Sequence, residues 1–198
     1  VNGKVTKNHF VDTSINVYNT TQYDEIFADV KDKYIKYLEK KKISPSGFCY
    51  HQIHKDNKLK KLNNWITDSV NKVAKTFNFP DRYEPKQSWF IDCKQFNAQP
   101  WHAHSGFVFS VIFYLEGSSD DKGTRFKSPN YIDMKNPYNL SPDNDHKATL
   151  FNEYTYPTCT YPCIPGKLLI FRSFVEHCTD LKITDKRRIV LIYNYDRT

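Results

Sequence analysis

The chain has 198 residues with a formal net charge of +7, and 39% of its residues are hydrophobic, 16% aromatic and 26% charged. Its mean hydropathy is −0.70 and no apolar run approaches the ~20 residues of a membrane-spanning helix, so we expect a soluble cytoplasmic protein with no membrane partner. The five cysteines are scattered and odd in number, which argues against a secreted disulfide framework. This length fits a single domain, residues 1–198.

The N-terminal region, residues 1–80, predicts a helical support. After one short strand around residues 8–17, a first amphipathic helix begins near Thr21 and ends near Lys42. A second amphipathic helix fits residues 57–77. The apolar stripe of the first helix consists of Tyr23, Ile26, Phe27, Val30, Tyr34, Tyr37 and Leu38.

Strands dominate the rest of the chain. They are predicted at residues 87–96, 107–116, 123–127, 148–154, 167–171 and 188–195. Helices that come first in the chain and strands that come afterwards favour an α+β fold, in which the helices cover one face of a sheet. The lysines are spread along the helical faces, so a solvated surface accounts for most of the positive charge.

A polar segment interrupts the strands at residues 117–147. It is rich in Ser, Asp, Asn, Gly and Pro, and loops of this length within compact domains often act as lids or binding segments. We therefore predict a lid insertion here, with an unstructured surface insertion as the alternative.

Three histidines form the candidate metal site. His102 and His104 stand two residues apart at the entry to an apolar strand, so both imidazoles are expected on one face. His177 follows a distant apolar run, and a barrel or jelly roll would bring it back to the first pair. Imidazole suits iron, zinc, copper and nickel, whereas hydrogen-bonded or surface histidines are the alternative interpretation. A structural zinc site at Cys159 and Cys163 is a weaker candidate, because no second Cys/His pair lies nearby.

A series of motifs in residues 87–195 carries a family resemblance. In chain order they are Ser88-Trp89-Phe90, Pro100-Trp101-His102-Ala103-His104-Ser105-Gly106, Ser110-Val111-Ile112-Phe113-Tyr114-Leu115, Pro165-Gly166-Lys167-Leu168-Leu169-Ile170-Phe171, His177 and Arg188-Ile189-Val190-Leu191-Ile192-Tyr193-Asn194. This order and spacing resemble the iron(II)- and 2-oxoglutarate-dependent oxygenases, most of all a branch found in bacteria and their phages. The resemblance implies a double-stranded β-helix, a cupin-like jelly roll, as the core in residues 87–195, with the N-terminal helices packed on its larger sheet. It also implies a bacterial protein or one that a phage encodes in a bacterial host.

The resemblance also implies the roles of individual residues. His102 matches the first iron ligand, His177 the distal histidine, and Arg188 the basic residue that pairs with the far carboxylate of 2-oxoglutarate. Arginine suits this role because its planar fork holds a carboxylate with two charge-assisted hydrogen bonds. Arg187 is the competing residue, because only one of two adjacent strand residues points inward.

Two positions depart from the family pattern. His104 stands where most members have Asp or Glu, so we predict it as the third metal ligand, with Glu116 as a weaker substitute. Val190 stands where Ser or Thr is common, two residues after the arginine. Tyr114 and Ser88 are the predicted replacements for the hydrogen bond to 2-oxoglutarate that Val190 cannot make.

The function that the resemblance implies is an oxygenase with Fe(II) as cofactor and with 2-oxoglutarate and O2 as co-substrates. The expected reaction hydroxylates a C–H bond and releases succinate and CO2. Two alternatives stay open: a cupin-type three-histidine metalloenzyme that does not use 2-oxoglutarate, and a non-enzymatic jelly-roll binding module. The sequence leaves the substrate open between a small molecule, a peptide and a nucleic acid, and it leaves the oligomeric state open.

Overall fold

The structure, a computed structural model, describes residues 5–10, 13–18, 24–40, 48–49, 52–129 and 158–198, with the side chains of residues 31–40, 52–129 and 158–198. Within these ranges the helices are α1 (Asp24–Glu39) and α2 (Lys60–Thr76). The strands are β1 (Val5–Phe10), β2 (Thr13–Tyr18), β3 (Phe48–Cys49), β4 (Tyr83–Cys93), β5 (Gln99–His102), β6 (Phe109–Glu116), β7 (Thr124–Lys127), β8 (Thr158–Tyr161), β9 (Leu168–Arg172), β10 (His177–Thr179) and β11 (Arg188–Arg197).

The strands form two antiparallel sheets that together make a jelly roll. The larger sheet has the strand order β1-β2-β9-β6-β11-β4-β3, and the smaller sheet has the order β5-β10-β7-β8. Apolar side chains from both sheets pack into one cluster between them, with Ile112 and Val190 from the larger sheet and Phe126 and Tyr161 from the smaller. The predicted α+β class and the jelly-roll core are confirmed.

Alternation along the central strands builds two apolar layers. In β6, Val111 and Phe113 face the helices, whereas Ile112 and Tyr114 face the smaller sheet. β11 follows the same rule, with Leu191 on the helical side. Because both faces of these strands are buried, they read in the sequence as continuous apolar runs rather than as alternating ones.

The helices cover the outer face of the larger sheet, as predicted. α2 buries Leu62, Ile66 and Val70 completely in the layer that it shares with β6 and β11. The ring of Trp65 meets the ring of Phe113 edge to face, with centroids 5.9 Å apart. None of the helices in the described ranges is long and apolar enough to cross a membrane.

The structure differs from the predicted elements mainly in the short strands. The single strand expected at residues 8–17 is a pair, β1 and β2, joined in antiparallel register. The sequence analysis did not predict β3, β5, β8 and β10, which are only two to four residues long. The predicted strand at residues 148–154 and most of the predicted lid lie outside the described residues; residues 117–129 do include β7, close to its predicted position.

Candidate metal centre

Strand pairing brings the three candidate histidines together. His177 on β10 lies opposite His102 on β5 in the antiparallel register. The backbone N–H of His104 donates to the carbonyl of Ser173 at 2.9 Å, which fixes the segment after β5 beside the loop that leads into β10. The ring centroids are 4.3 Å apart for His102 and His177, 5.0 Å for His104 and His177, and 5.3 Å for His102 and His104. One ligand atom from each residue lies within 4.8 Å of the other two.

Each imidazole is oriented through its Nδ1 atom. His102 Nδ1 lies 2.8 Å from the carbonyl oxygen of Pro100, and His177 Nδ1 lies 3.0 Å from that of Val175. A carbonyl oxygen only accepts, so Nδ1 carries the proton in both rings and Nε2 keeps its lone pair for a ligand. Histidines that bind a metal through one ring nitrogen usually donate a hydrogen bond from the other nitrogen in this way.

The third imidazole is held by side chains instead of a carbonyl. His104 Nδ1 lies 2.6 Å from Asn194 Oδ1 and 3.0 Å from Ser110 Oγ. Ser110 Oγ in turn donates to Asn194 Oδ1 at 2.9 Å and lies 2.8 Å from Ser173 Oγ. His104 is thereby held to the larger sheet, while His102 and His177 belong to the smaller one.

Burial disfavours a positive charge on two of the three imidazoles. Desolvation lowers the pKa of His177 to about 3, and it also lowers the pKa of His104 below its ordinary value. The rings of Phe171 and Phe126 pack against His177, with centroids 4.9 and 5.7 Å away. Neutral imidazoles with free Nε2 atoms are suitable donors for a divalent transition metal, so the three residues fit an iron(II) ion chemically.

The depressed pKa of His177 predicts an acid-sensitive fold in the metal-free protein. Below its ordinary pKa of 6.5 the imidazole is protonated in the unfolded chain, but it stays neutral in the fold down to about pH 3. The unfolded state therefore binds more protons in that window, and the free energy of unfolding should fall by about 1 kcal/mol per pH unit as the pH decreases from 6.5. Urea titrations of the metal-free protein and of His177→Gln measure this, and equal pH slopes in the two proteins would contradict it.

Asn194 is predicted to control metal affinity through His104. Asn194→Ala removes the acceptor that orients the imidazole, and loss of such a contact typically costs ~10–100-fold in metal affinity. Asn194→Asp keeps an acceptor oxygen at the same place and should retain most of the affinity. Titration of both variants with nickel(II) checks this; wild-type affinity in Asn194→Ala would show that the contact is incidental.

A cavity of about 960 Å³ opens between the sheets next to the histidines. Arg188, only 2% exposed, lies in its wall. Arg188 Nη1 donates to the carbonyl of Lys122 at 3.2 Å, whereas the buried Nε has no hydrogen-bond partner in the described part of the chain. Because no carboxylate among the described residues forms an ion pair with it, this guanidinium can receive a carboxylate from a ligand.

Arg187 is excluded as the alternative by its neighbours. Its guanidinium donates to Asp92 Oδ2 at 2.7 Å and also binds Glu39. These ion pairs lie on the other side of β11 from the cavity, because adjacent strand residues point in opposite directions. Arg188 is therefore the arginine that faces the cavity.

Of the predicted hydrogen-bond donors, the structure places Tyr114 at the cavity and Ser88 elsewhere. The Tyr114 hydroxyl accepts from the backbone N–H of Thr124 at 2.9 Å, and burial raises its pKa, so it stays protonated. Ser88 is fully buried on the helical side of β4, where its Oγ lies 2.6 Å from His54 Nδ1. The predicted role of Ser88 is therefore wrong: its side chain points away from the cavity that its neighbour Trp89 lines.

The other two residues in question are also located. Glu116 does not line the cavity and forms a 3.8 Å ion pair with Lys31, so it is not a substitute metal ligand. Val190 does line the cavity and offers no hydrogen bond there.

Sequence reasoning missed Asn194, although a signal was present. Arg188, Val190, Ile192 and Asn194 alternate along β11, and all four line the cavity. Once Arg188 is placed inside, the two-residue period of the strand puts Asn194 on the same face.

The two facing antiparallel sheets make this protein a jelly roll. Its cavity combines three clustered imidazoles with a buried arginine, which together form a candidate site for a single metal ion. A family profile described as "Putative 2OG-Fe(II) oxygenase" matches residues 87–194, just over half of the chain. The chain belongs to this family. No curated protein matches the sequence.

Solved structures share the fold at low sequence identity. The epimerase SnoN, in complex with Fe3+, alpha ketoglutarate and nogalamycin RO, matches with a TM-score of 0.61 at 11% identity, over 96% of this chain and 77% of its own. HygX from Streptomyces hygroscopicus, with nickel and 2-oxoglutarate bound, gives 0.59 at 10% identity, over 94% and 83%. A prolyl-4-hydroxylase from Pseudomonas putida gives 0.56 at 11% identity, over 99% and 94%.

Proposed function

We propose that this protein is an iron(II)- and 2-oxoglutarate-dependent dioxygenase that hydroxylates a C–H bond of its substrate. The observation that carries the proposal is the shared cavity: three clustered imidazoles and a buried guanidinium that forms no ion pair with any described residue line the same space. A metal alone explains the histidines, but a dicarboxylate ligand explains the arginine as well.

The residues divide the work between two ends of the cavity. His102, His104 and His177 would hold the metal, and three protein ligands would leave room for others. Arg188 receives the far carboxylate of 2-oxoglutarate, and the Tyr114 hydroxyl lies on the same face of the larger sheet. The chemistry that bound iron(II) and 2-oxoglutarate would supply is oxidation of a substrate C–H bond by O2, with one oxygen atom going to the substrate, the other to succinate, and CO2 released.

Hydroxylation is the more specific part of the proposal, because it names the reaction at the substrate carbon as well as the class of enzyme. Among the neighbouring folds are both an epimerase and a prolyl-4-hydroxylase, so the fold supports more than one outcome at the substrate carbon. The two outcomes differ in mass: a hydroxylated product gains one oxygen atom, labelled when 18O2 is supplied, whereas an epimer gains none.

The first test is an anaerobic titration of metal-free protein with iron(II) and then with 2-oxoglutarate. We expect iron to bind, and then a weak visible charge-transfer band to grow as 2-oxoglutarate chelates it. Iron binding without the band would favour the cupin-type enzyme that does not use 2-oxoglutarate. Absence of iron binding would favour the binding module.

A further inference from the structure

The described residues that line the cavity carry almost no charge. Among the lining residues that the structure describes, Arg188 is the only one with a permanent charge, and no Asp, Glu or Lys is present. The proposed function assigns Arg188 to 2-oxoglutarate, so none of the described lining residues offers a counter-charge to the substrate. Burying an unpaired charge is strongly unfavourable, so this described part of the wall favours a substrate group that carries no charge.

The remaining polar and aromatic side chains of the cavity form what we call the neutral wall. It combines aromatic rings, which offer flat faces, with amides, which offer both donors and acceptors. Its members are Gln87, Trp89, Phe96, Asn97, Gln99 and Phe107.

Part of the neutral wall lies directly beside the metal centre. The ring of Trp89 is 5.7 Å from that of His104, centroid to centroid. Gln87 Oε1 accepts from Asn194 Nδ2 at 3.4 Å, and Asn194 is the residue that orients His104. Gln87 and Trp89 are two residues apart on β4 and both line the cavity, so a ring packed against Trp89 lies beside the amide of Gln87 and the imidazole of His104.

Phe96 completes the neutral wall from an unfavourable backbone conformation. It is 67% exposed and has a positive φ of 66°, which is rare for an aromatic residue. The strained turn is held by its neighbours: Phe96 N–H donates to Lys182 O at 2.8 Å, and Lys182 N–H donates to Asn97 O at 3.0 Å. The Lys182 side chain is buried beside Asp121, with an N···O distance of 3.8 Å. Strain held in this way at a cavity rim is typical of a ligand contact.

We propose that the substrate is an uncharged, hydroxylated ring compound, of the kind represented by a sugar or a cyclitol, bound against the neutral wall. Its C–H face packs on the aromatic rings, and its hydroxyl groups exchange hydrogen bonds with the amides. This inference rests on the proposed function, because it assigns Arg188, the one cation among the described lining residues, to 2-oxoglutarate.

The test compares three probes that share a ring and differ in charge: methyl β-glucopyranoside, glucuronate and glucosamine. Each is titrated into protein loaded with nickel(II), which is redox-inert, and 2-oxoglutarate, with tryptophan fluorescence as the readout. We expect the neutral glucoside to bind at least ~10-fold more tightly than either charged probe. Trp101→Phe, a variant outside the cavity, should leave this preference unchanged.

A charge placed in the neutral wall should move the preference in a defined direction. In Gln87→Glu, glucosamine is expected to become the tightest of the three probes, a result that mere loss of packing cannot produce. Phe96→Ser should weaken all three probes alike. Equal binding of the three probes, no saturable binding of the glucoside, or tighter binding of cyclohexanol than of the glucoside would overturn the inference. Binding of 2-oxoglutarate is measured in the same samples, so its loss identifies failure of the proposed function instead.

Discussion

Replacing His177 with alanine is expected to abolish 2-oxoglutarate turnover. The side chain is buried at the junction of β10 and β5 and supplies one of only three nitrogen donors in the cluster. Loss of one donor should lower metal affinity by more than ~100-fold, beyond the cost of losing a residue that merely orients a ligand. Succinate release and iron(II) binding measure the two effects. Turnover retained at even a tenth of the wild-type rate would remove His177 from the site.

Two further variants separate loss of the metal from loss of the fold. His102 is less buried than His177, so His102→Ala should reach the same loss of turnover with a smaller change in thermal stability. His54→Gln is the matched control: His54 contacts Ser88 on the helical side of β4, outside the cavity. We expect His54→Gln to bind iron(II) as tightly as the wild type.

Replacing Arg188 with methionine is expected to weaken 2-oxoglutarate binding by at least ~100-fold while leaving iron(II) binding intact. Two charge-assisted hydrogen bonds to the far carboxylate are lost, at about 1.5–3 kcal/mol each. The fold should not be weakened, because the change removes a buried guanidinium that has no carboxylate partner in the described residues. Calorimetry with 2-oxoglutarate and iron(II) measures the two affinities separately.

The neighbouring arginine provides a matched control for Arg188. Arg187→Met breaks ion pairs with Asp92 and Glu39 that are partly exposed, and such pairs contribute at most about 1 kcal/mol each. Its affinity for 2-oxoglutarate should equal that of the wild type. If both arginine variants lost the affinity to the same extent, general electrostatics rather than a specific contact would explain the loss.

The central strands of the larger sheet could be predicted from the sequence because they are long and apolar. Runs such as Phe109–Glu116 and Arg188–Arg197 are buried on both faces and read as continuous apolar stretches in the sequence. The smaller sheet could not be predicted in the same way. β5 contains Pro100, β10 is three residues long, and both owe their conformation to pairing across the sheet rather than to local propensity.

The candidate site was predictable where a strand fixed the direction of its residues. Arg188 and Arg187 point to opposite sides, as alternation along β11 requires. The same alternation explains why the prediction for Ser88 was wrong, since its neighbour Trp89 is the residue that faces the cavity. The contact between His104 and Asn194 spans 90 positions in the sequence, and only the pairing of β6 with β11 brings Ser110 and Asn194 together.

The division of the three histidines between the two sheets has a mechanical consequence. His102 and His177 belong to the smaller sheet, whereas His104 is held to the larger sheet through Asn194. A metal ion bound by all three would cross-link the two sheets at the open end of the jelly roll. A ligand that binds only the folded state shifts the unfolding equilibrium towards that state. Removing the metal with a chelating agent should therefore loosen this end first, with faster amide exchange in β5 and β10 than in β6.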